Sequence, residues 1–357
     1  MYKKNEVRNS SIELLRIIMM MGVIILHYNN SNLGGGYRYV KEGSLNNYYL
    51  FFLNNLFVYA VDIFIMISGY FLCKTENRKS IRIVELIIQV IVFNYIAYIV
   101  GCLNGEIHMS MRGIVGCMFP VNYYVILYAV VYLLSPYINI LIQSLGKDKF
   151  RKFVLLNFFI FSGYTILVDY AEKISGIKLN GLSSVGLYGS SAGYTIVNFF
   201  LCYIIGAYIR SIIITMNEKK VFVTMIVMIV LMNMITILEY KSGLGYGTAW
   251  NYNNPIVIIN SACVLTLFSK MKIHNVVINE LAKGAYTCFL FHGIVLKFYN
   301  IEKCINSMLV VLILHQLFTI ITIYLMSYIL YKIYNWIISP LIKCMDSLCR
   351  KIDHFLK

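Results

Sequence analysis

Glu13–Asn30 reads ELLRIIMMMGVIILHYNN. About 20 predominantly apolar residues cross a bilayer as a helix, and with its flanks this run is long enough to do so. It nevertheless carries Glu13, Arg16 and His27. On a helix turning about 100° and rising about 1.5 Å per residue, Arg16 and His27 differ by about 20° around the axis and about 16 Å along it, so they share one face. Glu13 sits one turn before Arg16 and is placed to pair with it. An ionisable group at bilayer depth costs about 2.5 to 3.5 kcal/mol on insertion scales, which marks such groups as functional candidates. Each also has a plainer explanation on its own. An arginine near a helix end snorkels to headgroups, and a membrane histidine hydrogen-bonds to a neighbouring helix. The run continues into NNSNLGGGYRY without a small-residue cleavage site, so it is expected to stay as the first span rather than be removed as a signal.

The rest of the chain repeats the apolar character of this stretch. Of its 357 residues 59% are hydrophobic and only 13% charged, about half the charge of a soluble domain. The reading is an all-α, polytopic integral membrane protein. Ten candidate spans run from about 12 to 30, 48 to 73, 81 to 103, 121 to 143, 150 to 169, 194 to 215, 221 to 240, 254 to 271, 285 to 300 and 307 to 335. With the N-terminus in the cytoplasm, 22 of the 31 Lys and Arg fall on the inner side and 8 on the outer, as the positive-inside rule requires. Both termini are then cytoplasmic. The net charge of +15 is spread over short clusters between apolar runs and forms no continuous basic stripe, so nucleic acid is not an expected partner. Nine cysteines are scattered without paired spacing, and no metal is expected.

Residues 1–340 form the expected transmembrane domain. Residues 341–357, LIKCMDSLCRKIDHFLK, read as a basic amphipathic tail on the inner surface. The outer segment at about 169 to 193 is rich in Gly and Ser and reads as flexible or glycan-facing.

Few other ionisable groups lie inside the spans. Asp62 opens the stretch DIFIMISGYFL. Counted by helical rise, it lies about 16 Å from the inner end of its span and His27 about 22 Å from the start of the first, a difference that tilt could close. Asp62 is therefore a candidate to orient His27 as a general base, or else to hold the two spans together by a hydrogen bond. Lys74, Arg78, Lys79 and Arg82 follow at the inner face. Clusters of this kind set topology or touch anionic lipid, and guanidinium groups also suit a phosphate ligand. His292, in AYTCFLFH, reads as a core histidine with a satisfied partner, and His315 is a weaker candidate.

Five segments in order resemble the membrane acyltransferase-3 family, bacterial enzymes that O-acylate cell-surface glycans such as O-antigen and capsule. They are the Arg16/His27 pair at R-x10-H, DIFIMISGYFL, YYVILYAVVYLLSPYIN, FFLCYIIGAYIR and AYTCFLFH. The resemblance implies a multi-pass enzyme of the bacterial cytoplasmic membrane, an acyl-CoA donor such as acetyl-CoA taken from the cytoplasm, and a hydroxyl of a surface polysaccharide or its lipid-linked precursor as acceptor. His27 matches the family's essential histidine, and Arg16 its partner arginine. The family's R-x-x-R pair falls on Lys79 and Arg82, the first arginine being a lysine here. Tyr124 stands where many members carry tryptophan, and the serine common near the start of the late motif is missing. The site expected from the sequence is thus His27, Arg16 and Asp62 for chemistry, with Arg16, Lys79 and Arg82 holding the donor. A polysaccharide flippase or polymerase and a small-solute transporter are the alternatives. A polymerase is expected to carry a long outer loop with clustered arginine, which this sequence lacks.

Overall fold

A computed structural model of the chain describes residues 8–75, 79–245 and 247–355. Of the basic residues counted above, Lys3, Lys4, Arg78 and Lys357 lie outside the described residues. The described residues form helices joined by turns, with no strand among them.

The first helix, α1 (Ser10–Asn29), starts where the Asn9 side chain accepts from the backbone N–H groups of Ser11 and Ile12, so that two of the helix's otherwise orphaned donors are met. Its start is latched to the 271–275 segment. Ser10 Oγ donates to the Asn275 carbonyl (3.3 Å) and Ser11 Oγ to that of Met271 (2.8 Å), while the N–H groups of Asn275 and Ile273 donate back to the same two hydroxyls. At its other end the glycines after Leu33 fold back, and the Gly34 N–H donates to the His27 carbonyl at 2.9 Å. A Cβ on Gly34 would lie 2.3 Å from the Tyr28 carbonyl oxygen, so this return needs glycine.

The next passage is two helices, α2 (Leu45–Phe57) and α3 (Ala60–Leu72), broken at Val58 and Tyr59. It is followed by α4 (Ile81–Leu103) and α5 (Tyr123–Phe158). The latter bends at Gly146, whose φ of +65° is available to glycine at little cost. A π-helical turn over Phe159–Gly163 leads into α6 (Tyr164–Ser175). Then come α7 (Ile196–Ile212), α8 (Glu218–Lys241), α9 (Pro255–Lys270), α10 (Ala285–Leu296) and α11 (Leu309–Phe355).

Among the described residues, six helical passages are long and apolar enough to cross a bilayer: Ser10–Asn29, Leu45–Leu72, Ile81–Leu103, Tyr123–Ser175, Glu218–Lys241 and Leu309–His354. The chain is an all-helical, multi-pass membrane protein. Gly146 divides the Tyr123–Ser175 passage near the boundary between the fourth and fifth expected spans. The expected spans at 194 to 215, 254 to 271 and 285 to 300 correspond to helices of 17, 16 and 12 residues. At about 1.5 Å per residue these rise less than the about 30 Å of a hydrocarbon core. They pack in the interior, and their ends meet structured turns.

The tightest packing is between α3 and α7. A Cβ on Gly69 would lie 2.0 Å from the Tyr203 carbonyl oxygen, and one on Gly206 would lie 2.1 Å from that of Met66. The two backbones therefore touch, as small residues allow between membrane helices. Around this crossing α1 packs against α2, α3, α9, α10 and α11, which makes the first helix the centre of the bundle.

Two surface segments are well defined in the structure. The 169–193 segment is tied down rather than loose: Asp169 Oδ2 accepts from Ser190 Oγ (2.7 Å) and Asn251 Nδ2 (3.1 Å), and Lys173 Nζ pairs with Glu239 at 3.1 Å. Its small residues serve tight turns, including a left-handed pair at Ser191 and Ala192. The 341–355 segment continues α11 through Pro340. Asp353 Oδ1 there accepts from the Ser80 N–H at 2.8 Å, which fixes the helix end to the start of α4.

Candidate active site

The face of α1 that carries Arg16 and His27 lines a cavity of about 340 Å³. Arg16, Met20 and Val23 form its α1 wall, and His27 is the next position along that stripe. Val61, Phe64 and Ser68 of α3, with Tyr124 and Tyr128 of α5, close the opposite side. The third wall is Lys283, Tyr286 and Phe289, leading into and along α10, with His292 one step beyond. The cavity therefore has a charged end and an apolar middle, and it stops about one helical turn short of the two histidines.

Arg8, Glu13, Arg16 and Lys283 line the charged end. Arg16 Nη1 donates to Glu13 Oε1 at 2.7 Å, and Arg8 lies 4.0 Å from the same oxygen. Glu13 is buried while Arg16 is a third exposed, so the carboxylate holds the guanidinium at the cavity mouth without covering it. Lys283 bonds Glu280 at 2.5 Å, and Glu280 also bonds Lys332 of α11. The hydrogen bonds from Lys283 and Lys332 hold the Glu280 carboxyl down at about 2, which keeps this surface clamp ionised at physiological pH.

At the other end, His27 Nδ1 meets His292 Nε2. The two rings lie 15° from parallel with centroids 4.6 Å apart. His292 Nδ1 in turn lies 2.9 Å from the Cys288 carbonyl oxygen. His292 is 4% exposed, and Phe289, on the cavity wall, is 6.3 Å from its ring. Next to this pair, Tyr28 bonds through its hydroxyl to His315 Nδ1 at 2.8 Å. Asn29, Asn54, Gln316 and Tyr49 continue as a bonded network.

Asp62 is not the partner of His27. Its Oδ1 accepts from Asn198 Nδ2 of α7 at 3.1 Å, and its Oδ2 has no partner among the described residues. Asp62 opens α3 just after the break at Val58 and Tyr59 and faces α7, the neighbour this helix packs against most closely. Its hydrogen bond ties α3 to α7 rather than to α1, the neighbour expected from the sequence, and the atom that His27 Nδ1 meets is His292 Nε2.

Lys79 and Arg82 are exposed and do not line the cavity. The backbone of Lys79 connects to it through tyrosines four residues apart on α5. The rings of Tyr124, Tyr128 and Tyr132 follow one another at 6.2 Å. The first two line the cavity, and the Tyr132 hydroxyl accepts from the Lys79 N–H at 3.3 Å. Tyr124, at the position where tryptophan was expected, packs 5.2 Å from Phe289 and 5.6 Å from Phe199.

Sequence reasoning therefore missed three parts of the site: Arg8, Lys283 and the partnership of His292. Only the last left a usable signal. Lys283, Tyr286, Phe289 and His292 recur every three residues, a polar, aromatic and polar pattern that an ordinary lipid-facing helix would not need.

No curated protein and no solved structure matches this chain. A family model described as an acyltransferase domain, that of the acyltransferase-3 family, matches residues 9–333. That range includes both histidines and every residue lining the cavity except Arg8. The chain belongs to the acyltransferase-3 family, and is a membrane acyltransferase.

Proposed function

We propose that this acyltransferase moves an acyl group, acetyl in the simplest case, from acyl-CoA to a hydroxyl of a cell-surface polysaccharide or its lipid-linked precursor. In this reading the chain spans the bacterial cytoplasmic membrane ten times with both termini inside. Arg16 then lies at the cytoplasmic face and His27 towards the outer one.

The observation that carries the reading is the single stripe Arg16, Met20, Val23 and His27, because its first three members line one cavity. Arg8, Arg16 and Lys283 supply positive charge where the phosphates of CoA would arrive, and arginine can grip a phosphate through two parallel hydrogen bonds. Lys79 and Arg82 add charge beyond the tyrosines. The apolar middle, walled by Met20, Val23, Phe64 and Phe289, takes the slender thioester arm. Its volume lies at the lower end of the range of ligand pockets.

At the far end His27 removes the proton from the acceptor hydroxyl as that oxygen attacks the thioester carbonyl carbon. The new carbon–oxygen bond forms and the carbon–sulfur bond breaks. The proton passes from His27 to the departing sulfur, so that an ester and free CoA leave and the histidine is restored.

His27→Ala should insert normally and lose at least about a hundredfold in transfer rate, the usual contribution of a positioned base. The direct check is the acetyl methyl signal in proton NMR of surface glycan from cells carrying each form. An unchanged signal would reject the mechanism. Loss of polymer rather than of acetyl groups would favour assembly or export.

A further inference from the structure

We propose that His292 is a positioning residue for His27, fixing its tautomer so that Nε2 presents a lone pair to the acceptor hydroxyl. The proposal rests on the reading of His27 as the base. The proton count begins at the Cys288 carbonyl oxygen, which can only accept. His292 Nδ1, 2.9 Å away, therefore carries a hydrogen. In a neutral imidazole the other nitrogen is then an acceptor, so His292 Nε2 offers a lone pair to the atom it meets, His27 Nδ1. His27 Nδ1 must donate. The lone pair of His27 is left on Nε2, to which no described residue bonds.

Sequence spacing enforces this order. His292 comes four residues after Cys288, so its Nδ1 meets the preceding turn of its own helix. The backbone of α10 thereby sets the tautomer of one histidine, and that histidine sets the other. Burial of His292 at 4% exposure keeps bulk water from competing for its lone pair. During transfer His27 takes the hydroxyl proton on Nε2, and its Nδ1–H stays bonded to His292. The proton then leaves from Nε2 to the sulfur, and His292 keeps its own hydrogen throughout. A buried carboxylate could orient the base in the same way, but a neutral imidazole does so without placing an anion among apolar helices.

The test uses the full chain reconstituted in lipid. In nitrogen-15 NMR of histidine-labelled protein, with His27 assigned by its loss in His27→Ala, wild type should show a protonated Nδ1 and an unprotonated Nε2 on His27. His292→Leu, which removes the acceptor, should lower kcat by about a hundredfold or more while the KM for acyl donor stays within about twofold. His292→Gln, whose side-chain oxygen can accept from Nδ1, should regain at least about a tenth of the wild-type kcat. The proposal is overturned if wild-type His27 carries its hydrogen on Nε2. It is equally overturned if His292→Leu keeps its kcat while His27→Ala is inactive. Should His27→Ala itself stay active, the reading of His27 as the base fails instead, and the spectrum still decides the tautomer.

Discussion

Arg16 is held by one neighbour and left open to another. Glu13 takes one side of its guanidinium at 2.7 Å, and the cavity takes the other. Arg16→Lys keeps the charge but loses the planar fork that grips a phosphate through two bonds. The expected result is a rise of roughly tenfold in the KM for acyl-CoA, the equivalent of about 1.4 kcal/mol, with kcat little changed, read from steady-state kinetics. Asp62 belongs to a different class. Asp62→Leu leaves the Asn198 amide without its buried acceptor, at a cost of about 1 to 3 kcal/mol. It should show as a lower melting temperature of the purified protein. The alignment of Arg16 with His27 was legible in the sequence because a helix fixes the azimuth of residues eleven apart whatever surrounds it. The partner of Asp62 was not legible. Helical rise gives the depth of a residue in a span, but not which neighbour its side chain faces, and the break at Val58 and Tyr59 reset that direction. Arg8 was also hidden, because it reaches the mouth from before the first helix, where no periodicity constrains it.

The helices that matter most to the site are short and central. The crossing of α3 over α7 depends on two glycines that bring the backbones into contact, so a single added methyl at either should force the helices apart. Gly69→Ala and Gly206→Ala are each expected to lose at least about 1 to 3 kcal/mol, the usual cost of overpacking. Gly163→Ala, whose new Cβ would meet only the Phe159 ring, at 3.7 Å, beyond its own helix backbone, should leave the melting temperature unchanged or raise it. Thermal unfolding in detergent followed by intrinsic fluorescence separates the three. The Glu280 clamp gives a pH test. Its carboxyl is held down at about 2 by Lys283 and Lys332, from an ordinary 4.5, so its contribution is fully present above about 4.5 and is lost as pH falls through about 2. The stability gap between wild type and Glu280→Gln should therefore be flat at neutral pH and close on acidification. Long helices were legible from length and hydropathy. The 12 residues of α10 were read as a longer span because the apolar run extends past the point where the helix ends, at the turn after Leu296.

The site as a whole is assembled from distant parts of the chain. His27 and His292 are 265 positions apart, as are Ser10 and Asn275 in the latch that holds the other end of α1. This closure was not legible in the sequence, since each partner reads as an ordinary membrane residue until the fold brings the two together. The general class was legible nonetheless, because composition, spacing and segment order all survive without knowledge of any contact. The long separation has a consequence for how the protein is made. The ribosome delivers the first helix, with Glu13, Arg16 and His27 on one face, before the helices that will cover that face exist. Helices α3 and α5 follow early, but until residues 282–296 have been synthesised the stripe lacks its third wall and His27 lacks His292. A chain stopped after Lys270 should therefore enter the membrane yet be degraded much faster than the full chain, as pulse-chase labelling would measure. In the same experiment His27→Leu should partly restore the lifetime of the truncated product, because the cost being relieved is that of an orphaned histidine awaiting a partner not yet translated.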